Sequence, residues 1–132
     1  MDLQPVFNLS TAQTQADDAY TAGRALGELL IQSPEYRAFL DTLKALNSDQ
    51  TVQKLSAEMR GHQKALQWGS DADGQHRAEM ARLELEMEDL STLKKYRQAE
   101  QEVGRLFLAV DEIISREAGV KFAANAKRSC CG

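Results

Sequence analysis

Few side chains in this sequence can support chemistry, and they cluster at three places. The first is the extreme C-terminus, Cys130-Cys131-Gly132, which holds both cysteines of the chain. A disulfide between neighbours needs a strained backbone and closes no useful loop. Their chemistry is that of soft ligands. Lys127 and Arg128 precede them, and nearby positive charge favours the thiolate that zinc and iron–sulfur clusters bind. Such sites usually take four ligands, so an iron–sulfur cluster or zinc ion held by Cys130 and Cys131 would be shared between the tails of two subunits. The plain alternative is a pair of free thiols. The second place is His62 with His76. A histidine pair across a helical hairpin can ligate a metal or exchange protons. No cysteine, serine-centred motif or phosphate loop joins these two, and Glu58 and Glu79 are what any charged helix surface supplies, so surface histidines are expected. The third is the loop between them, Gly69-Ser70-Asp71-Ala72-Asp73-Gly74. Asp71, Asp73 and Gly74 fit part of a calcium loop, but Gly69 and Met80 fall where its first and last carboxylates belong. A solvated turn is expected. Trp68, the only tryptophan, is expected to cap the core from a helix end. No catalytic constellation is found elsewhere, and the chain reads as a binding protein rather than an enzyme.

The elements that position these groups are helices. Apolar residues recur with a period near 3.6, and no segment sustains a period of two. A first helix starts near Thr11, behind a Ser10…Gln13 capping box, and runs to about Gln32. Ser33-Pro34-Glu35 is a restart signal: a cap, a proline suited to the first turn, and an acid at the positive end of the dipole. The second helix spans about 34–47, with Tyr36, Phe39, Leu40, Leu43 and Leu46 on its apolar face. Asn47-Ser48-Asp49 breaks the pattern and starts a third helix, about 49–67, with Val52, Leu55, Met59 and Leu66 inward. A charge-laced fourth helix, about 75–90, carries Met80, Leu83, Met87 and Leu90; it is expected to be the least buried. A long fifth helix from Thr92 to Glu117 or Ala118, ending before Gly119, carries Leu93, Tyr96, Val103, Leu106, Phe107, Val110, Ile113 and Ile114. Connections this short favour antiparallel neighbours. The expected fold is all-α, a small antiparallel bundle of about five helices with a long C-terminal helix. Residues 1–132 form one domain, with a loose leader over 1–10 and a short cysteine-containing tail over 119–132.

On the first helix, Ala19, Gly23 and Gly27 fall in one row, four residues apart. Glycine in a helix interior costs about 1 kcal/mol relative to alanine, so two in a row point to a closely packed second backbone. That backbone is either another helix of the same chain or a second subunit. In the latter case Ala19, Gly23, Leu26, Gly27 and Leu30 would form the interface.

Bulk properties bound the function. A chain of 132 residues, 42% hydrophobic and 27% charged, can bury a core without disulfides or metal. No stretch approaches the roughly 18 apolar residues of a membrane span. The start, MDLQPVFNLS, lacks the basic and apolar regions of a signal peptide, so the cytoplasm is the expected compartment. The net charge of −4 argues against strong direct nucleic-acid binding, which draws on phosphate neutralisation.

The stretch AYTAGRALGELLIQSPEYRAFLDTLKALNSDQ contains an Ala…Leu-Gly run, then Ile-x-Ser-x-Glu-Tyr, then an Asp before a third helix. With Tyr96-Arg97-Gln98-Ala99-Glu100, the run VDEII and the tail KRSCCG, it resembles the YlbF/YmcA family of bacterial regulators over about residues 15–132. The resemblance implies a small all-α protein, usually oligomeric, with no catalytic activity of its own. It implies a complex of YlbF- and YmcA-like proteins with a YaaT-like third member. Such complexes are linked to competence, sporulation and biofilm control, and to RNA processing through the endoribonuclease RNase Y. It also implies an association of cysteines with iron–sulfur clusters, which only Cys130 and Cys131 match here. The expected function is therefore a regulatory adaptor acting through oligomer and partner contacts. The alternative is a metal- or cluster-binding redox sensor centred on the two thiols.

Overall fold

A computed structural model describes the backbone of residues 9–72 and 74–126, and the side chains of residues 13–72 and 74–124. Among the described residues there are six helices and no strand: α1 (Leu9–Gln32), α2 (Pro34–Ser48), α3 (Gln50–Gln67), α4 (Gln75–Asp89), α5 (Ser91–Ala118) and α6 (Phe122–Ala126). The helix boundaries follow local chemistry. Ser33 takes extended dihedrals and accepts a hydrogen bond from the Tyr36 backbone N–H at 3.2 Å, with Pro34 opening α2. Asp49 ends α2 and caps α3, its Oδ1 accepting from the N–H groups of Thr51 at 2.9 Å and Val52 at 3.2 Å. Gly119 closes α5 with a φ of 71°, the left-handed conformation that favours glycine at this position. α1 begins at Leu9 rather than near Thr11, so the last two residues of the expected leader belong to the helix.

α2 packs along α5, and α3 packs along α4. α2 makes no contact with α4, nor α3 with α5. The antiparallel helices therefore form a long hairpin, two helices thick, with the 68–74 turn at its tip. Each arm bends once, at Asp49 and at Leu90, and both bend residues are extended. The bends sit side by side: Thr92 Oγ1 donates to Asp49 Oδ2 at 2.6 Å, across 43 residues of sequence. That bond and the two cap bonds, in this order, hold the Asp49 carboxyl below its ordinary value of 3.8.

The core is thin. Leu55, Leu83, Ala99 and Val103 are the buried hydrophobic residues among those described, and Leu83 alone has no exposure. An aromatic cluster ties α2 to α5: Tyr36 lies 6.4 Å from Phe107, and Phe39 lies 5.7 Å from Tyr96, ring centre to ring centre. The expected stripe of α5 is only half covered, since Phe107 is 42% and Ile113 52% exposed. The expectation that α4 is the least buried helix is wrong, because α4 contributes Leu83 to the core. That description fits α1, whose residues from Gln13 to Ala25 are all exposed. By backbone approach α1 neighbours only α2 among the described helices. At 24 residues it is about 36 Å long, so most of its length runs free of the hairpin.

Candidate functional site

The free length of α1 carries the small-residue row. A methyl group built on Gly23 or on Gly27 would meet no other element of the described residues within 4 Å. No described helix of the same chain therefore crosses the row at these two glycines. Ala19, Gly23 and Gly27 are exposed, and the same helix exposes Tyr20, Leu29 and Ile31 at 69%, 67% and 54%. Leu26 and Leu30 are placed differently. Both are half-buried and line an apolar groove of ≈ 280 Å³ with Phe107, Val110 and Ile114 of α5 and Phe122 of α6. α6 is held against α5 by side chains. Asp111 Oδ1 accepts from the Ala123 N–H at 3.1 Å, and Ser115 Oγ accepts from the Phe122 N–H at 3.0 Å. The five residues of the candidate interface thus divide into a bare row and two leucines on the rim of a groove.

At the other end of the molecule, the hairpin tip departs from expectation three times. His62 and His76 are not independent surface histidines. Both are half-buried, and their Nδ1 atoms lie 2.8 Å apart. One ring must therefore donate from Nδ1 and the other accept there. The turn is not merely solvated either. Asp71 folds inward, with 8% of its side chain exposed, and its Oδ1 accepts from the His76 backbone N–H at 2.8 Å. The Asp71 carbonyl accepts from the Gly74 N–H at 3.2 Å, and both Gly69 and Gly74 have positive φ. Trp68 does not cap the core: it is 84% exposed at the end of α3. The role of Asp71 was open to sequence reasoning, because an Asp four residues before a helix start can cap it through the turn.

Among the described residues, no group of three or more His, Cys, Asp or Glu side chains is arranged to hold a metal ion. Cys130 and Cys131 lie outside the described residues. No described helix is long and apolar enough to cross a membrane.

The model of the family described as control of competence regulator ComK, YlbF/YmcA, matches residues 19–117, three-quarters of the chain. The chain belongs to the YlbF/YmcA family. The matched region runs from Ala19 on the free face of α1 to Glu117 at the end of α5, and includes the hairpin and its tip. It stops short of Cys130 and Cys131. The YlbF/YmcA family is linked by its description to control of a competence regulator, which makes a regulatory role the family-level function of this chain. A search of the curated proteins returned no match.

Proposed function

We propose that this YlbF/YmcA family member is a non-catalytic cytoplasmic adaptor, and that it works by docking its first helix on a second copy of itself or on a related subunit. The observation that carries this reading is the exposed row Ala19, Gly23, Gly27, whose two glycines meet no other element among the described residues. Glycines that cost helix stability and serve no internal packing are accounted for by a backbone approaching from outside. Leu26 and Leu30, on the groove rim, extend the docking seam toward α5. In finer detail, the proposed partners are YmcA- and YaaT-like proteins, and the proposed process is RNase Y-dependent RNA processing with its effects on competence, sporulation and biofilm formation. RNA would be reached through those partners and not by this chain directly. The test is static light scattering coupled to size exclusion on purified protein. A dimer or larger species at micromolar concentration is expected. A monomer at high micromolar concentration would overturn the docking role of α1.

A further inference from the structure

The histidine pair at the hairpin tip has no part in the adaptor reading. Two imidazoles on different helices, 14 residues apart in sequence, present Nδ1 atoms to each other at 2.8 Å. Their rings are tilted by 53°, with centres 5.1 Å apart. His76 is fixed from behind, since Asp71 Oδ1 takes its backbone N–H. The second carboxylate oxygen, Asp71 Oδ2, is buried without a hydrogen-bond partner. It stands 3.4 Å from Arg77 Nε, an ion-pair distance, and Arg77 itself is largely in solvent. The turn thus keeps a buried carboxyl group at the backbone of His76, with one oxygen not engaged in hydrogen bonding.

We infer that His62 and His76 form a binding site for a borderline divalent transition metal, in which the ion displaces the hydrogen bond between the two Nδ1 atoms and takes one lone pair from each. Neutral imidazole suits copper, nickel and zinc, whereas magnesium and calcium take oxygen ligands. Imidazole nitrogens about 2.0–2.1 Å from one ion stand about 3.3 Å apart at a tetrahedral angle and about 2.9 Å apart at a right angle. The observed 2.8 Å is the span of a hydrogen bond between the rings, so an ion enters by displacing that bond with a small rotation of the rings, and Cu(II), Ni(II) and zinc all accept the two nitrogens. No third protein ligand joins the pair among the described residues, and water fills the remaining positions. On binding, the donor ring moves its proton from Nδ1 to Nε2 through solvent. Both rings stay neutral, each gives one lone pair to the ion, and no electron changes hands. The ion would bridge α3 to α4 at the tip.

The experiment uses the full chain carrying Cys130→Ser and Cys131→Ser, so that tail thiols do not compete. It is titrated with Cu(II) alone and followed by calorimetry and electron paramagnetic resonance. The expected result is one equivalent per chain, with superhyperfine splitting from two nitrogens. Binding should weaken at least about tenfold in His62→Gln and in His76→Gln, with helicity checked by circular dichroism. Equal binding in parent and variants, or no stoichiometric binding by the parent, would overturn the site. A second measurement does not depend on a variant folding. In 15N correlation spectra of the imidazoles, added Zn(II) should move the Nδ1 resonances of both rings, and unmoved Nδ1 resonances would contradict the inference.

Discussion

Leu83→Ala is the sharpest probe of a core this thin. Leu83 is the one described side chain with no exposure, and it sits where α4 meets α3. Removing its three outer carbons loses their transfer free energy and leaves a cavity, together about 3–5 kcal/mol in well-packed sites. The hairpin is only two helices thick, so neighbours can partly collapse, and the lower end, about 3 kcal/mol, is expected. For a chain of this size that lowers Tm by roughly 10–15 °C. The assay is thermal unfolding followed at 222 nm, at fixed protein concentration because assembly also shifts Tm. Native-state hydrogen exchange should report the loss first in α3 and α4, since α2 and α5 pack through a separate set of residues that includes Ala99 and Val103. A loss below about 1 kcal/mol, the range of surface substitutions, would refute the placement of the core at this contact. So would a loss of exchange protection that begins in α2 and α5.

Further outcomes follow from the same structure. Asp49 is held below its ordinary pKa of 3.8 by Thr92 first and then by the cap bonds, so its contribution is present above the unfolded value and lost as pH falls through the folded one. Urea unfolding of wild type and Asp49→Asn should differ by a constant amount from neutral pH down to about pH 5, then converge in stronger acid; a gap that widens with acidification would contradict this sign. Replacing Cys130 and Cys131 by serine should leave helicity and Tm unchanged. It should remove any iron or zinc retained by protein prepared without oxygen, and weaken partner binding. Wild type free of metal, with a mutant that binds its partner normally, would leave the thiols without a role. With a net charge of −4, the purified chain should bind RNA weakly at about 150 mM salt, and sub-micromolar affinity in a filter-binding assay would overturn the view that RNA is reached through a partner.

Local signals were legible in the sequence because they act over a few residues. Ser33-Pro34, Asp49 and Gly119 each mark a helix boundary through their own backbone or side-chain chemistry, and each lies where the structure puts a boundary. The apolar stripes of α3 and α4 predicted Leu55 and Leu83 correctly as inward residues. What could not be read is how the helices sit relative to one another. Ala99 is buried, yet a single methyl group adds little to a stripe. Trp68 looked like core because of its size, but the hairpin offers no third layer for it to cover. The bends at Asp49 and Leu90 align through Thr92, 43 residues from Asp49, and no local pattern encodes that register. In the same way, the spacing of Ala19, Gly23 and Gly27 marks one face of α1, but that no described helix crosses the two glycines is visible only in three dimensions. The histidine pair was visible as two residues flanking one turn; the inward fold of Asp71 that places His76 was not.

The Gly23→Leu, Gly27→Leu double variant tests, with opposite signs, whether another chain completes α1. Among the described residues no other element of the chain lies within 4 Å of a side chain started at either position, and leucine is a better helix former than glycine by most of 1 kcal/mol per site. An isolated monomer should therefore tolerate the change and gain helicity. At a close helix–helix seam the same side chains hold the backbones apart. Sedimentation velocity on both proteins at matched micromolar concentration is the measurement. An assembled wild type and a fully helical, monomeric variant are expected. A wild type that sediments as a monomer, or a variant that assembles as tightly as wild type, would contradict completion of α1 by another chain.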